Sequence, residues 1–236
     1  MYTHSMKTYT ILENTFRRKL PERFSSQEEI RMPEEEVELF LQKFTKPGDK
    51  VLDIFAGFGT TLFSSEEMGR IPYGIEFDKP KYDYIRENLS DLYKENIIHG
   101  DCQKILDYDF PVMDFLMTSP PFTRKEDIDA PLTAYESRGT YEEYLKGIFG
   151  IFRTMRTVIK PDGYLVVEVS NLKNRETQTV TTLAWDIGYQ IAKSHHFLGE
   201  IIVVWSNDPI RDKDDGAYGY GYDHSYCLIY RNSLSV

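Results

Sequence analysis

The chain has 236 residues, 41% of them apolar, enough to bury one full core. Its formal charge of -10 makes the average surface repel phosphate backbones, the main compositional argument against a nucleic-acid partner unless local basic patches override it. The sequence has no uncharged apolar run long enough to span a bilayer, no signal-peptide pattern, and only Cys102 and Cys227 as thiols, so it predicts a cytoplasmic protein with neither a disulfide framework nor a metal site.

In chain order, residues 1–32 read as an N-terminal extension and 33–236 as the main domain. Arg17, Arg18, Lys19, Arg23 and Arg31 cluster in the extension; taken alone they are solvated surface, as are Arg124 and Lys125. After Pro33, a residue suited to a first helical turn, Val37, Leu39, Phe40, Leu41 and Phe44 recur at mostly helical spacing and predict a helix over 34–44. Pro47-Gly48-Asp49 turns the chain into a buried strand over 50–55, and a helix over 60–68 stops at Gly69. A second strand over 73–77, a helix over 81–93, a third strand from 97 to 99 and a fourth over 113–118 follow.

The clearest helix covers 141–159, because Tyr144, Leu145, Ile148, Phe149, Phe152, Met155 and Ile159 recur at steps of three and four; that stripe is core. Pro161-Asp162-Gly163 turns into a strand over 164–169, then come a helix over 179–192 and strands over 196–205 and 225–230. Residues 123–140 and 206–223 read as polar loops. The alternation of strands and helices specifies an α/β protein built on a sheet.

Asp53-Ile54-Phe55-Ala56-Gly57-Phe58-Gly59-Thr60-Thr61 follows the first buried strand. Gly57 and Gly59 allow a tight turn that a ligand can approach closely, and the helix starting near Thr60 offers unsatisfied N–H groups. A dinucleotide fingerprint would place a further glycine at 62, where the chain has Leu62, so the pattern for NAD is poor. Glu76 ends the second strand at the distance where a carboxylate can accept from two ribose hydroxyls, and Asp101 after the third strand can accept from an adenine amino group. Phe77 can wall the ring. Each alone has an ordinary explanation as a surface acid or core aromatic, but acids at three successive strand ends are harder to place by accident.

Thr118-Ser119-Pro120-Pro121-Phe122 closes the fourth strand. With the glycine turn upstream, the chain resembles the S-adenosylmethionine-dependent amino-methyltransferases of DNA, which act on cytosine N4 or adenine N6. The resemblance covers about residues 24–231. It implies a Rossmann-like class I methyltransferase fold: a seven-stranded, mostly parallel sheet with an antiparallel final hairpin and helices on both faces. It implies S-adenosyl-L-methionine as cofactor, held by Asp53, Phe55, Ala56, Gly57, Gly59, Thr60 and Thr61, with Glu76 on the ribose and Phe77, Asp101 and Cys102 around the adenine. It implies Ser119, Pro120, Pro121 and Phe122 as the catalytic motif, and suggests that residues 24–33 close over the methionine end. Ser119 in the first position is similar to the cytosine N4 branch. The chain lacks the long insertion with which many DNA enzymes read bases.

The chemistry of the motif fits that implication. An exocyclic amine is a poor nucleophile because its lone pair is delocalised into the ring, so acceptors aimed at its two N–H bonds help the nitrogen pyramidalise. The Ser119 side-chain oxygen and the Pro120 carbonyl are the candidates, on a backbone that consecutive prolines stiffen. Phe122 can stack on a base rotated out of a helix. Neither cysteine sits in a nucleophile motif, which sets aside methylation of cytosine carbon. The expected substrate is DNA, with RNA, or a noncatalytic cofactor-binding subunit of another enzyme, as alternatives; a partner protein or a homodimer is compatible with either. The 218–222 Tyr-Gly tract offers aromatic faces for unpaired bases or a plain loop, and His195, His196, His224 and Asn171 read as structural.

Overall fold

The computed structural model describes residues 7–24, 31–127, 132, 139–174, 176–206 and 222–233. Their strands are β1 (Tyr9–Leu12), β2 (Lys50–Asp53), β3 (Ile71–Glu76), β4 (Ile97–His99), β5 (Met113–Thr118), β6 (Ile159–Val169), β7 (Leu172–Lys173), β8 (Val180–Thr181), β9 (His196–Trp205) and β10 (His224–Arg231). The helices are α1 (Glu34–Phe44), α2 (Thr60–Glu67), α3 (Lys79–Asn88), α4 (Tyr141–Val158) and α5 (Leu183–Ala192).

Eight strands form one sheet in the order β1-β9-β10-β6-β5-β2-β3-β4; β7 and β8 make a separate ribbon. Within the sheet β10 runs antiparallel to both neighbours, β6 and β9, and the remaining pairs are parallel. The mostly parallel fold with an antiparallel end is therefore as expected, but the sheet has eight strands where seven were implied. The additional one is β1, which pairs parallel with β9 from Tyr9↔Ile202 to Leu12↔Trp205. Four residues are too few to carry a periodic signal, and β1 gains its place from the open edge of β9 and from burying Leu12 beside Trp205.

The alternation along each strand sorts the core into two layers. Val51, Phe115, Met117 and Val166 pack with α1 through Val37, Phe40 and Leu41. Leu52, Leu116, Leu165 and Val167 pack with α4 and α5 through Tyr144, Ile148, Phe152 and Ile187. A third cluster joins α2 and α3 to the extension, where Phe24 meets Phe58 and Tyr84 edge-on at 5.1 and 6.0 Å.

Several boundaries differ from the sequence reading for local reasons. The second strand starts at Ile71, two residues early. α3 starts at Lys79 rather than 81 because the Asp78 side chain accepts from Lys81 N and Pro80 occupies the first turn, and it ends at Asn88. The span 179–192 splits into β8 and α5. Pro161-Asp162-Gly163 does not precede β6 but lies inside it: the register passes from Met113↔Ile159 to Phe115↔Tyr164, with Asp162 at φ 60°. α4 carries a capping box, Thr140 with Glu143, and matches its predicted span to one residue. Of the 218–222 tract, 218–221 lie outside the described residues, as do most of the two predicted polar loops.

Candidate active site

The carboxyl ends of β2, β3, β5 and β6 open onto one cavity of about 780 Å³. An open α/β sheet places ligands there, where the loops diverge.

The turn after β2 is built from two left-handed glycines, Gly57 at φ 55° and Gly59 at φ 79°. Gly59 precedes the first residue of α2, and a Cβ on it would lie 2.9 Å from Ile85 Cγ1, so the turn has room there only for hydrogen. Glu76 locks the same turn from β3. Its Oε2 accepts from Gly57 N at 2.6 Å and its Oε1 from Asp78 N at 2.7 Å. Both carboxylate oxygens are thus oriented by backbone and still have lone pairs for further donors. Burial pushes the Glu76 carboxyl up to about 7, against these hydrogen bonds and Lys81, which pull it down.

Asp53 stands between the two halves of the site. Its Oδ1 accepts from Phe55 N at 3.1 Å and from Thr118 Oγ1 at 2.6 Å, while burial lifts its carboxyl to about 6. Beyond Thr118, Ser119 Oγ donates to Glu168 Oε2 at 2.7 Å, and Tyr144 OH donates to the Pro121 carbonyl at 2.9 Å, pinning the Pro-Pro segment to α4.

Of the residues singled out in sequence, Ser119, Pro120, Pro121 and Phe122 line this cavity together with Asp53, Phe55, Ala56, Gly57, Thr60, Glu76, Phe77 and Cys102. Gly59, Thr61 and Asp101 are not on its wall. Thr61 is fully buried in α2, and the Asp101 side chain caps a short 3-10 turn by accepting from Gln103 N at 2.9 Å. Phe77 is 41% exposed on the cavity wall. Asn171 accepts from Ala184 N at 3.0 Å and starts α5, a structural task.

Sequence reasoning passed over Asp78, Lys79, Lys81 and Glu168, which also line the cavity, whereas Arg31 and Met32, on the same wall, fall in the segment 24–33 that the resemblance suggested for the methionine end. For Glu168 a signal existed: it is a lone acid in the apolar run Leu165-Val166-Val167-Glu168-Val169, where burial is expected and charge is costly.

The family model N6_N4_Mtase, described as DNA methylase, matches residues 5–87 and 113–234, leaving Asp101 and Cys102 in the unmatched interval. No curated protein matches the chain by sequence comparison. Among solved structures, TrmN from Thermus thermophilus is similar at a TM-score of 0.58 and 14% identity, over 85% of this chain and 49% of its own, so this chain spans about half the length of that protein. A methyltransferase from Pyrococcus furiosus is similar at 0.53 and 14% identity, over 86% and 84%. A putative rRNA-methylase from Clostridium thermocellum is similar at 0.53 and 11% identity, over 84% and 96%. Identities this low speak to the fold alone.

Proposed function

The chain belongs to the N6_N4_Mtase family of DNA methylases, S-adenosylmethionine-dependent amino-methyltransferases, and from that premise we propose that it methylates the N4 amine of cytosine in DNA, in the cytoplasm. The observation that supports this reading is the shared cavity: Ser119 to Phe122 lie on the same 780 Å³ wall as the glycine turn and Glu76. Ser119 in the first motif position favours cytosine over adenine by its likeness to the N4 branch.

The residues present suit the cofactor. A carboxylate preset by two backbone N–H groups, a glycine turn opening a helix, and the exposed Phe77 ring match a ribose, a charged amino-acid end and a purine ring respectively. When bound, S-adenosylmethionine supplies a methyl group activated by its sulfonium. Asp53, Phe55, Ala56, Gly57, Gly59, Thr60 and Thr61 form and support the turn that receives the methionine end, with Arg31 and Met32 from the extension beside it. Glu76 accepts from the ribose hydroxyls. Phe77 and Cys102 flank the adenine.

Ser119 Oγ and the Pro120 carbonyl accept from the target amine and hold its nitrogen in line with the methyl carbon, while Phe122 stacks on the base. The Tyr144 bond to Pro121 keeps that geometry from drifting. The net acidity of the chain makes approach to DNA depend on local cations, of which Lys79, Lys81 and Arg31 stand on the cavity wall. The test is transfer of labelled methyl by the purified chain to DNA, RNA and protein, followed by digestion to nucleosides. N4-methylcytosine from DNA is the expected product; N6-methyladenine would overturn the base preference, and label confined to RNA would overturn the choice of nucleic acid.

A further inference from the structure

Behind the Ser119 hydroxyl lies a pair of buried glutamates with no part in cofactor or base holding. Glu168 on β6 is 3% exposed, lines the cavity and accepts from Ser119 Oγ at 2.7 Å. Cys227 on β10 stands directly opposite Glu168 in the strand pairing, and its Sγ donates to Glu36 Oε1 at 3.1 Å. Glu36 comes from α1 and has no solvent exposure. Glu36 Oε2 is buried without a hydrogen-bond partner among the described residues, and the buried Glu168 carboxylate has the Ser225 hydroxyl as well as Ser119 beside it. A row therefore runs from the cavity inward: Ser119, Glu168, and behind the sheet face Cys227 and Glu36.

Two carboxyls in such a place cannot both be ionised cheaply, since burial penalises each charge and each charge penalises the other. Burial pushes both above the ordinary carboxylate range, and the Glu168 charge pushes Glu36 further. The Ser225 and Ser119 hydroxyls favour the charged form of Glu168, whereas burial and the Glu168 charge both hold Glu36 toward its neutral form. A proton arriving at Glu168 abolishes a buried charge, so burial itself favours its uptake.

We propose that Glu168, acting through Ser119 Oγ, takes up the proton that the target amine must lose on methylation. This rests on the amino-methyltransferase reading above. The amine lone pair forms the new N–C bond, and the methyl C–S bond breaks with its electron pair left on sulfur, which becomes a neutral thioether. The nitrogen is then cationic. One N–H proton passes to Ser119 Oγ, its bonding pair returning to nitrogen, as the Ser119 proton passes to Glu168 Oε2. Glu168 ends neutral and returns the proton to water through the cavity once product leaves, so no further reactant is needed.

Other charged groups on the cavity wall are Arg31, Asp53, Glu76, Asp78, Lys79 and Lys81, and those packed behind Glu168 are Glu36 and Cys227. Asp53 and Glu76 titrate too, but their limbs persist when Glu168 is replaced, which separates them. The experiment is single-turnover transfer at saturating S-adenosylmethionine and DNA, between about pH 5 and 9, for the full chain and its E168Q, E168D and E36Q variants. E168Q should cut the rate about 100-fold and remove an acidic limb, with cofactor affinity by calorimetry unchanged. E36Q should leave that limb and most of the plateau rate in place, because a neutral amide stands in for a carboxyl held toward its neutral form. E168D, which keeps the carboxylate at shorter reach, should retain the limb at a reduced plateau, and it serves if E168Q fails to fold.

A readout independent of turnover is the infrared band of protonated carboxyls in the cofactor-free protein as pH is lowered, which should be smaller in E168Q than in wild type by the share of one group, the Asp53 and Glu76 bands persisting in both. An E168Q enzyme as fast as wild type with the same limb, an E36Q enzyme that loses the limb as E168Q does, or identical carboxyl bands in wild type and E168Q would overturn the proposal while leaving the methyltransferase reading intact. Wild type that methylates no exocyclic amine would overturn both.

Discussion

Thr118 Oγ1 donates a 2.6 Å hydrogen bond to Asp53 Oδ1, joining the carboxyl ends of two neighbouring parallel strands, β5 and β2. One strand leads into the glycine turn and the other into Ser119, so this bond fixes the distance between the two halves of the cavity. Replacing Thr118 with Val removes a donor from a buried carboxylate and should destabilise the fold by about 1–3 kcal/mol. Cofactor affinity and methyl transfer should fall together, and Thr118→Ser should restore both. Thermal melts and calorimetry check this; a T118V protein as stable as wild type would show that the link carries nothing.

Glu76→Ala leaves the Gly57 and Asp78 amides without their acceptor and removes the proposed ribose contact. Calorimetry should show S-adenosylmethionine affinity falling by about 10- to 100-fold, the size expected for charge-assisted hydrogen bonds. The KM for the acceptor should hold steady. A change in acceptor KM with cofactor affinity intact would reassign Glu76 to the target.

Gly59 and Gly48 share a left-handed backbone, at φ 79° and 87°, but differ in surroundings. A Cβ at Gly59 meets Ile85 Cγ1 at 2.9 Å and Phe63 at 3.1 Å, whereas at Gly48 nothing lies within 4 Å. Gly48→Ala should therefore cost only the backbone term, about 1–2 kcal/mol. Gly59→Ala should cost more and also weaken cofactor binding, because the turn must shift. Chemical denaturation of both variants would reveal the difference, and equal losses would contradict the packing argument.

Phe122→Ala should impair methyl transfer more than cofactor binding, since the aromatic face is assigned to the base. Phe122→Tyr should recover most of the rate. Turnover and calorimetry on the same preparations decide it: equal losses in both would remove Phe122 from the target side.

Asp53 and Glu76 hold their protons to about 6 and about 7 in the folded state, above ordinary carboxylates, and burial and the Glu168 charge raise Glu36 as well. Between about pH 4 and 7 the folded chain therefore binds more protons than the unfolded chain at these sites, so their contribution to stability is full below about pH 4 and shrinks as pH rises. E36Q removes the most buried of them. Relative to wild type it should gain stability at mildly alkaline pH compared with acidic pH, as measured by urea midpoints at about pH 5 and 8. The same pH dependence in both proteins would mean that Glu36 is not titrating.

What the sequence determined was whatever is local: strands and helices with sustained periodicity, such as α4 and β5, the glycine turn, and a Ser-Pro-Pro-Phe segment whose backbone chemistry is set by its own residues. Turn geometry and side-chain period act over a few neighbours, so they survive reading one residue at a time. The tertiary structure alone decided that Asp53 meets Thr118, that β1 takes the edge beside β9, and that Asp101 turns to its own cap. Above all it decided that Glu36 and Glu168 share one buried space. Each of these is a lone residue in a run whose pattern looks ordinary, and its meaning arises only when strand order brings distant segments within reach, where burial and like charge set the proton affinity that neither segment has by itself.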